Sequence, residues 1–506
     1  MNAPLRRVGV VVLVLFGVLF LNLNWVQAYQ ANSLRSNDHN ARVRLNEYQR
    51  QRGTIATAGG VPIAVSVATN DQLKFLRTYP LNPLAYAPIT GYKPVNGLAT
   101  GIERAEDDFL SGNSDALFTD RLKAMFTGKE STGGNVLLTV SKKVQEQAYD
   151  ELLHNKNNAK DAAAVVLDPS TGAILAMATT PSYDPNKLTI HNTGAAQSAY
   201  DVFNKSDGDK PLQNRATQNT FPPGSTMKVI VSAAALSDAS LGYTQDTVIP
   251  AGPSYTPVQG GGFTIHNAEA EICPDPTITL ILALTQSCNT GFAQLGVKLG
   301  ATKVKAMAQG FGFEDGGLTL AGKDNTAMTV AASHTGAMTS KDGQDDPNAV
   351  AQSSIGQLDV RITPMQAALI ASTVANGGRQ MRPYLIDKLQ APDLTTTFST
   401  QPSTARTPIT GTVAGELQQM MISVVQGGTG KNAKIDGFQV GGKTGTAQNS
   451  EDDGDHGWFI GFAMKDGKPI CAVAVFLQNA GSGGSGTATR IGGDLMKTVI
   501  AERGLK

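Results

Sequence analysis

The chain has 506 residues, more than one hydrophobic core usually supports, so two or more domains are expected. Its 42 acidic and 42 basic residues cancel, leaving no field that would draw it to nucleic acid. The six histidines are scattered, with no H-E-x-x-H and no Cys/His spacing of a zinc site, so neither a metal nor another cofactor is expected.

Near the N-terminus, Arg6-Arg7 precede Val8 to Leu21, a run without a polar side chain. Extended through Val26 it reaches 19 residues, enough to span a bilayer. We read residues 1–30 as a short tail and a retained anchor, with Trp25 at the outer interface. A cleaved signal peptide is the alternative, because Val26-Gln27-Ala28 offers small residues, but the run exceeds the roughly 7–15 residues of a signal core. Arg35, Arg42 and Arg44 outnumber Arg6 and Arg7, so charge alone does not orient the span.

Residues 31–134 are polar and broken by Gly and Pro, with strand-like pieces such as Val61 to Val67, as in a membrane-proximal pedestal. From Val136 the pattern changes to a strand, a helix near Lys142 to Leu153, and a hairpin from Ala163 to Met177 turning at Ser170-Thr171-Gly172. A second domain, 135–506, is taken to begin there. Within it, the Thr/Ser/Pro-rich stretch Pro392 to Thr412 predicts an exposed loop, and Ala414 to Val425 a helix leading to the Lys443 strand. The apolar run Pro469 to Phe476 predicts a central strand that hides Cys471. A Gly/Ser-rich connection, Asn479 to Gly486, precedes a closing helix from Ile491. Helices between and after strands imply an α+β fold, an antiparallel sheet sandwiched by helices.

Three strings carry chemistry: Ser225-Thr226-Met227-Lys228, Ser287-Cys288-Asn289 and Lys443-Thr444-Gly445-Thr446. The first is the chain's single S-x-x-K and the third contains its single K-T-G. Ser111-Gly112-Asn113 also fits S-x-N, but it precedes Ser225, whereas Ser287 follows it by 62 residues (287 − 225). A serine hydroxyl needs a base within reach to act as a nucleophile. If Ser225 opens a helix, Lys228 at i+3 shares its face. Phe221-Pro222-Pro223-Gly224 suits such a start, since prolines cannot continue a helix from upstream and Gly224 permits a sharp turn. The helix N-terminus favours a serine alkoxide and disfavours a protonated lysine nearby.

These motifs resemble those of the class B penicillin-binding proteins, closest to their short-pedestal actinobacterial type. The likeness extends to Ala163 through Met177, Asn214-Arg215-Ala216-Thr217, Ile355-Gly356-Gln357 with Thr363-Pro364, Ala375-Asn376-Gly377-Gly378, and Trp458-Phe459-Ile460-Gly461-Phe462. It implies a serine β-lactamase-like catalytic domain acting as a peptidoglycan D,D-transpeptidase. Ser225 would be acylated by the penultimate D-alanine of a stem peptide, expelling terminal D-alanine. Lys228 would take the proton, Ser287 would shuttle it to the leaving amine, and Asn289 would hold Lys228 and a substrate amide. Lys443, Thr444, Gly445 and Thr446 would bind the substrate carboxylate, and the backbone N–H groups of Ser225 and Thr446 would form the oxyanion hole. β-Lactams would block Ser225. In the pedestal, Gln51-Arg52-Gly53-Thr54-Ile55 and Gly101-Ile102-Glu103 resemble family motifs. Ala56-Thr57-Ala58-Gly59-Gly60 stands where the family has an Asp-Arg pair, which puts the usual salt-bridged domain contact in doubt.

The resemblance also places the catalytic domain on the wall side of the cell membrane. The roughly 130 residues before that domain are too few and too polar for a glycosyltransferase, so a polytopic lipid II glycosyltransferase partner is implied, contacted through anchor and pedestal. A D,D-carboxypeptidase, a β-lactamase and a penicillin sensor or inactive scaffold are the competing classes. Of three cysteines, Cys273 and Cys288 are near enough in sequence for a disulfide bracing Ser287 and Asn289; two reduced, buried thiols are the alternative.

Overall fold

The computed structural model describes residues 2–30, 48–128, 132–205, 208–321, 328–448 and 454–505. Arg35, Arg42 and Arg44 lie outside them. Along the chain the principal strands are β1 (Ile55–Ala56), β2 (Pro62–Ala68), β3 (Phe75–Thr78), β4 (Asn135–Leu138), β5 (Ala162–Leu167), β6 (Ile174–Thr180), β7 (Ile386–Gln390), β8 (Thr396–Ser399), β9 (Gln439–Ala447), β10 (His456–Lys465) and β11 (Lys468–Leu477). The principal helices are α1 (Asn2–Asn24), α2 (Phe118–Thr127), α3 (Lys142–Leu153), α4 (Lys228–Ser237), α5 (Leu280–Gln286), α6 (Asn289–Leu299), α7 (Pro364–Ala375), α8 (Gly411–Gly427) and α9 (Gly484–Glu502).

The catalytic half is built on a five-stranded antiparallel sheet in the order β9-β10-β11-β5-β6. β10 and β11 are apolar along nearly their whole length and buried on both faces, as strands covered by helices on either side must be. α3, α7, α8 and α9 pack against the sheet, giving the expected α+β sandwich. β9 is an edge strand, so one side of its backbone is left for another extended chain. Cys471, on β11, is buried and unpaired, and burial pushes its thiol up to about 12.

A second sheet, ordered β8-β7-β4-β1-β2-β3, crosses from the N-terminal segment into the later chain. β4 runs parallel to β1, with Ile55 opposite Val136, and antiparallel to β7, with Ile386 opposite Leu138. Backbone pairing therefore joins pedestal to catalytic half without the missing Asp-Arg pair. Arg52 is no ordinary turn residue: its Nε meets Glu103 at 2.7 Å, and Arg77 Nε meets the other carboxylate oxygen at 2.6 Å, all three side chains being buried. Burial alone would raise the Glu103 carboxyl, but Arg77 and then Arg52 override it and hold it below its ordinary value.

Two expectations need correction. The stretch Pro392 to Thr412 is not simply a loop: β8 pairs with β7, and Thr404–Arg406 pairs with Gln380–Met381. Its threonines are β-branched and polar, which suits edge strands whose side chains face water. The closing helix starts at Gly484 rather than Ile491, because its first turn lies on Gly457, where a β-carbon would come within 2.4 Å of the Gly484 carbonyl carbon. Tight packing there overrides the poor helix propensity of Gly484-Ser485-Gly486.

At the N-terminus, Arg6–Gln27 forms a 22-residue helical stretch of mean hydropathy 2.3, wholly unburied and long enough to cross a membrane. Trp25 stacks on Tyr29 with ring centroids 4.4 Å apart.

Candidate active site

Ser225 sits in a 3₁₀ turn, Gly224–Met227, that runs directly into α4. The turn is held in place by backbone. Gly224 has φ +51°, and a β-carbon on it would lie 2.4 Å from the Thr446 carbonyl oxygen, so only glycine lets the turn approach β9 this closely. Gly224 N–H donates to Gly356 O at 3.0 Å, and Gly356, at φ +75°, is pressed equally hard against the Gly224 carbonyl. Phe221 and Ile362 exchange two backbone hydrogen bonds, and Trp458 Nε1 donates to Pro222 O at 2.9 Å. Trp458 stands opposite Gly445 across β9 and β10, so the same residue supports the prolines and the K-T-G strand. The Ser225 backbone thus lies beside Thr446, whose side chain is exposed at the sheet edge.

Lys228, completely buried, does not spend its amine on Ser225. Nζ donates to Ser287 O at 2.7 Å, Asn289 Oδ1 at 2.7 Å and Ser287 Oγ at 3.3 Å. Lys443, also completely buried, reaches the same hydroxyl from the other side, Nζ to Ser287 Oγ 2.9 Å, and donates to Thr444 O at 2.9 Å. One serine hydroxyl therefore joins two buried amines. Burial, and then the neighbouring Lys443, pushes Lys228 well below the usual lysine range, and burial brings Lys443 down to about 7. Such a pair favours holding fewer than two protons near neutral pH.

The Ser287-Cys288-Asn289 corner is fixed by its surroundings. Ser287 ends α5 in the left-handed conformation, φ +63°, which turns its hydroxyl toward the lysines before α6 begins. Cys288 is disulfide-bonded to Cys273, with Cα atoms 6.0 Å apart. Asn267 Oδ1 accepts from the backbone N–H of Asn289 and Thr290, and Asn289 Nδ2 donates to His266 O at 3.0 Å. The Asn289 amide orientation is thereby set with its oxygen on Lys228.

Sequence reasoning missed Thr429. Its Oγ1 lies 2.6 Å from Thr444 Oγ1, aligning a hydroxyl of the K-T-G strand. The signal was the run Gly427-Gly428-Thr429-Gly430 at the end of α8, where Gly428 approaches the Thr285 backbone closely. Asn267 and His266 carried no such signal, since only folding brings them to Asn289. Among the described residues no group of three or more His, Cys, Asp or Glu is gathered to hold a metal.

The arrangement can hold an ester-forming serine at a helix N-terminus beside a proton-accepting amine, with a second amine and threonine hydroxyls placed for an anion. Comparison with known proteins agrees with this chemistry. The model of the penicillin binding protein transpeptidase domain matches residues 162–497, and that of the penicillin binding protein A dimerisation domain residues 52–136. A relative from Mycolicibacterium smegmatis, peptidoglycan D,D-transpeptidase PbpA, is 41% identical over 505 residues, covering 99% of both chains. Its Mycobacterium tuberculosis counterpart is 40% identical over 504 residues, 99% of this chain and 98% of that one. The structure of penicillin-binding protein A from M. tuberculosis as a ceftriaxone acyl-enzyme complex superposes with a TM-score of 0.82 at 38% identity, covering 90% of this chain and 100% of that one. The penicillin G acyl-enzyme complex gives 0.79 at 38% identity, covering 90% and 99%.

Proposed function

The chain belongs to the penicillin-binding protein transpeptidases, and from that premise we propose a role for each residue of the cleft. It is a peptidoglycan D,D-transpeptidase that acts in cell wall synthesis and binds β-lactams. Ser225 Oγ attacks the penultimate D-alanine carbonyl of a stem peptide and passes its proton to Lys228 Nζ. The backbone N–H groups of Ser225 and Thr446 receive the oxyanion. Collapse expels D-alanine, whose amine takes its proton through Ser287 Oγ, and an amine of a second stem peptide then attacks the Ser225 ester. Asn289 orients Lys228; Lys443, Thr444 and Thr446 bind the donor carboxylate, and Gly445 between them lets the strand lie close against Pro223. No metal or cofactor enters these steps.

The observation that carries this reading is the Ser287 hydroxyl shared by Lys228 and Lys443. With two buried amines this close, a substrate carboxylate draws the shared proton onto Lys443 and leaves Lys228 neutral, the form a base requires. The Cys273–Cys288 disulfide supports the same corner from behind.

We assign residues 1–30 to the tail and anchor, 31–134 to the pedestal and 135–506 to the transpeptidase domain. The apolar N-terminal helix supports a membrane anchor, and a peptidoglycan substrate is the reason to put the catalytic domain on the wall side of it. Glycan polymerisation then falls to a polytopic lipid II glycosyltransferase contacted through anchor and pedestal. Intact mass of the full chain in detergent, followed after adding benzylpenicillin, tests the assignment. A persistent single adduct, absent in Ser225→Ala, is expected. No adduct on the unmutated chain would point to an inactive scaffold, and an adduct that rapidly vanishes would point to a β-lactamase.

A further inference from the structure

Outside α1, no described large apolar side chain is more exposed than Met125 (80%) and Phe126 (84%) on α2, where Phe118 (59%) and Leu122 (41%) are exposed as well. At 3.6 residues per turn these four fall within an arc of roughly 100°, one continuous stripe. The helix is attached at its start, where Leu117 is buried and Arg121 Nη1 donates to Gly112 O at 3.0 Å and Ser114 O at 2.6 Å. Beyond that attachment the stripe faces outward. Arg121 borders it on one side and Lys123 on the other, while Asp120, 3.7 Å from Lys123, lies on the opposite face. An apolar stripe bordered by cations is the pattern of a helix lying in a membrane interface, its apolar side chains among acyl chains and its cations among anionic headgroups.

Position supports a bilayer as the occupant. The membrane-crossing helical run ends at Tyr29, and Tyr48 is already packed in the pedestal, with its hydroxyl donating to Pro94 O at 2.7 Å. Nineteen residue steps (48 − 29) span at most about 65 Å even fully extended, so the pedestal stays tethered within that distance of the membrane surface. We propose that α2 is a second membrane contact, inserting Phe118, Leu122, Met125 and Phe126 about 5–10 Å into the outer leaflet beside the anchor. Anchor and α2 together then fix the tilt of the pedestal, and through the shared sheet the height of the Ser225 cleft. This rests on the anchored, wall-facing reading above.

The test uses nitroxide labels on the full chain in vesicles of phosphatidylcholine and phosphatidylglycerol. Cys273 and Cys288 are bonded and Cys471 is buried, so single introduced cysteines are addressable. Labels go at Met125→Cys on the stripe, Thr127→Cys on the polar face and Val12→Cys in the anchor, and collisions with oxygen and with a water-soluble nickel complex are compared. The Met125 label is expected to favour oxygen several-fold over the Thr127 label. A Met125 label as wet as the Thr127 label, with the Val12 label in lipid, would overturn the proposal and leave the anchor standing. A Val12 label in water would remove the anchor reading and the proposal with it. Spin-spin broadening at Met125 that grows with the protein-to-lipid ratio would overturn it in favour of a contact between copies.

Discussion

Two regions of this molecule bury ionisable side chains, three in the pedestal and two in the cleft, and they do so in opposite ways. In the pedestal, Glu103 lies between Arg52 and Arg77, which contact both of its oxygens and hold the carboxylate ionised. In the cleft, Lys228 and Lys443 are buried against one serine hydroxyl and an amide, with no carboxylate among the hydrogen-bond partners of either amine. The first arrangement locks structure, because each charge compensates another. The second opposes ionisation, which costs stability but yields an amine able to accept a proton near neutral pH. Burial is common to both, and pairing decides whether a charge serves the fold or the chemistry.

The comparison breaks most visibly at Lys228. Lys228→Met should lower the rate of penicillin acylation by roughly 10²–10⁴, the usual worth of a general base, while shifting the thermal midpoint little. Stopped-flow acylation and calorimetry on one preparation would show both. Glu103→Gln should do the reverse. Buried Arg77 loses its counter-charge and Arg52 keeps Asp107, about 3–5 kcal/mol of stability goes, and acylation well below the new midpoint stays within a few-fold of the parent.

The pH dependence of stability sharpens the contrast. The depressed Glu103 carboxyl contributes stability above its unfolded pKa of about 4.3, lost as pH falls through its lower folded value, so Glu103→Gln should flatten the acid limb of the denaturation curve. The depressed Lys443 amine gives a slope of the same sign in an alkaline window, where rising pH relieves the cost of burying it neutral. Between about 7 and its unfolded value near 10.4 the unfolded chain binds the extra proton, so stability rises with pH, and Lys443→Met should flatten that alkaline limb. The smallest effect is expected at Thr429, which positions Thr444. Thr429→Val should raise KM for a donor peptide by up to about tenfold, the worth of one hydrogen bond, with kcat less affected and Thr429→Ser restoring KM. Equal losses in kcat and KM with no rescue by serine would mean a merely structural role.

Much of the site was legible because its chemistry is local in sequence. The Pro-Pro-Gly turn, Ser225 at a helix start and the K-T-G strand each rest on a few adjacent residues whose backbone preferences are strong. The i+3 spacing put Lys228 on the Ser225 face and the resemblance gave Asn289 as its holder, a contact the folded chain makes, whereas the hydrogen bonds of that amine to Ser287 had no signal in the spacing. The pedestal was harder to read. Arg52 and Glu103 were visible as motifs, yet Arg77 was not, and neither was the sheet through which β4 joins β1 to β7. Strand pairing across 248 residues (386 − 138) leaves no local trace, and polar edge strands such as β8 look like loop when read alone.

By itself the sequence carried the motifs whose resemblance names the reaction class and proposes Ser225 as nucleophile, and it determined the apolar N-terminal span and the alternation of helix and strand in the catalytic half. These follow from short-range spacing, hydrophobic runs and the conformational limits of proline and glycine. Only the tertiary structure decided that one serine hydroxyl would couple two lysines, that Thr429 would meet Thr444, and that the pedestal would be fastened by a shared sheet and a buried arginine-glutamate-arginine cluster. The physical reason is common to all three: burial and pairing depend on partners brought together from distant parts of the chain, and no window of sequence contains both members.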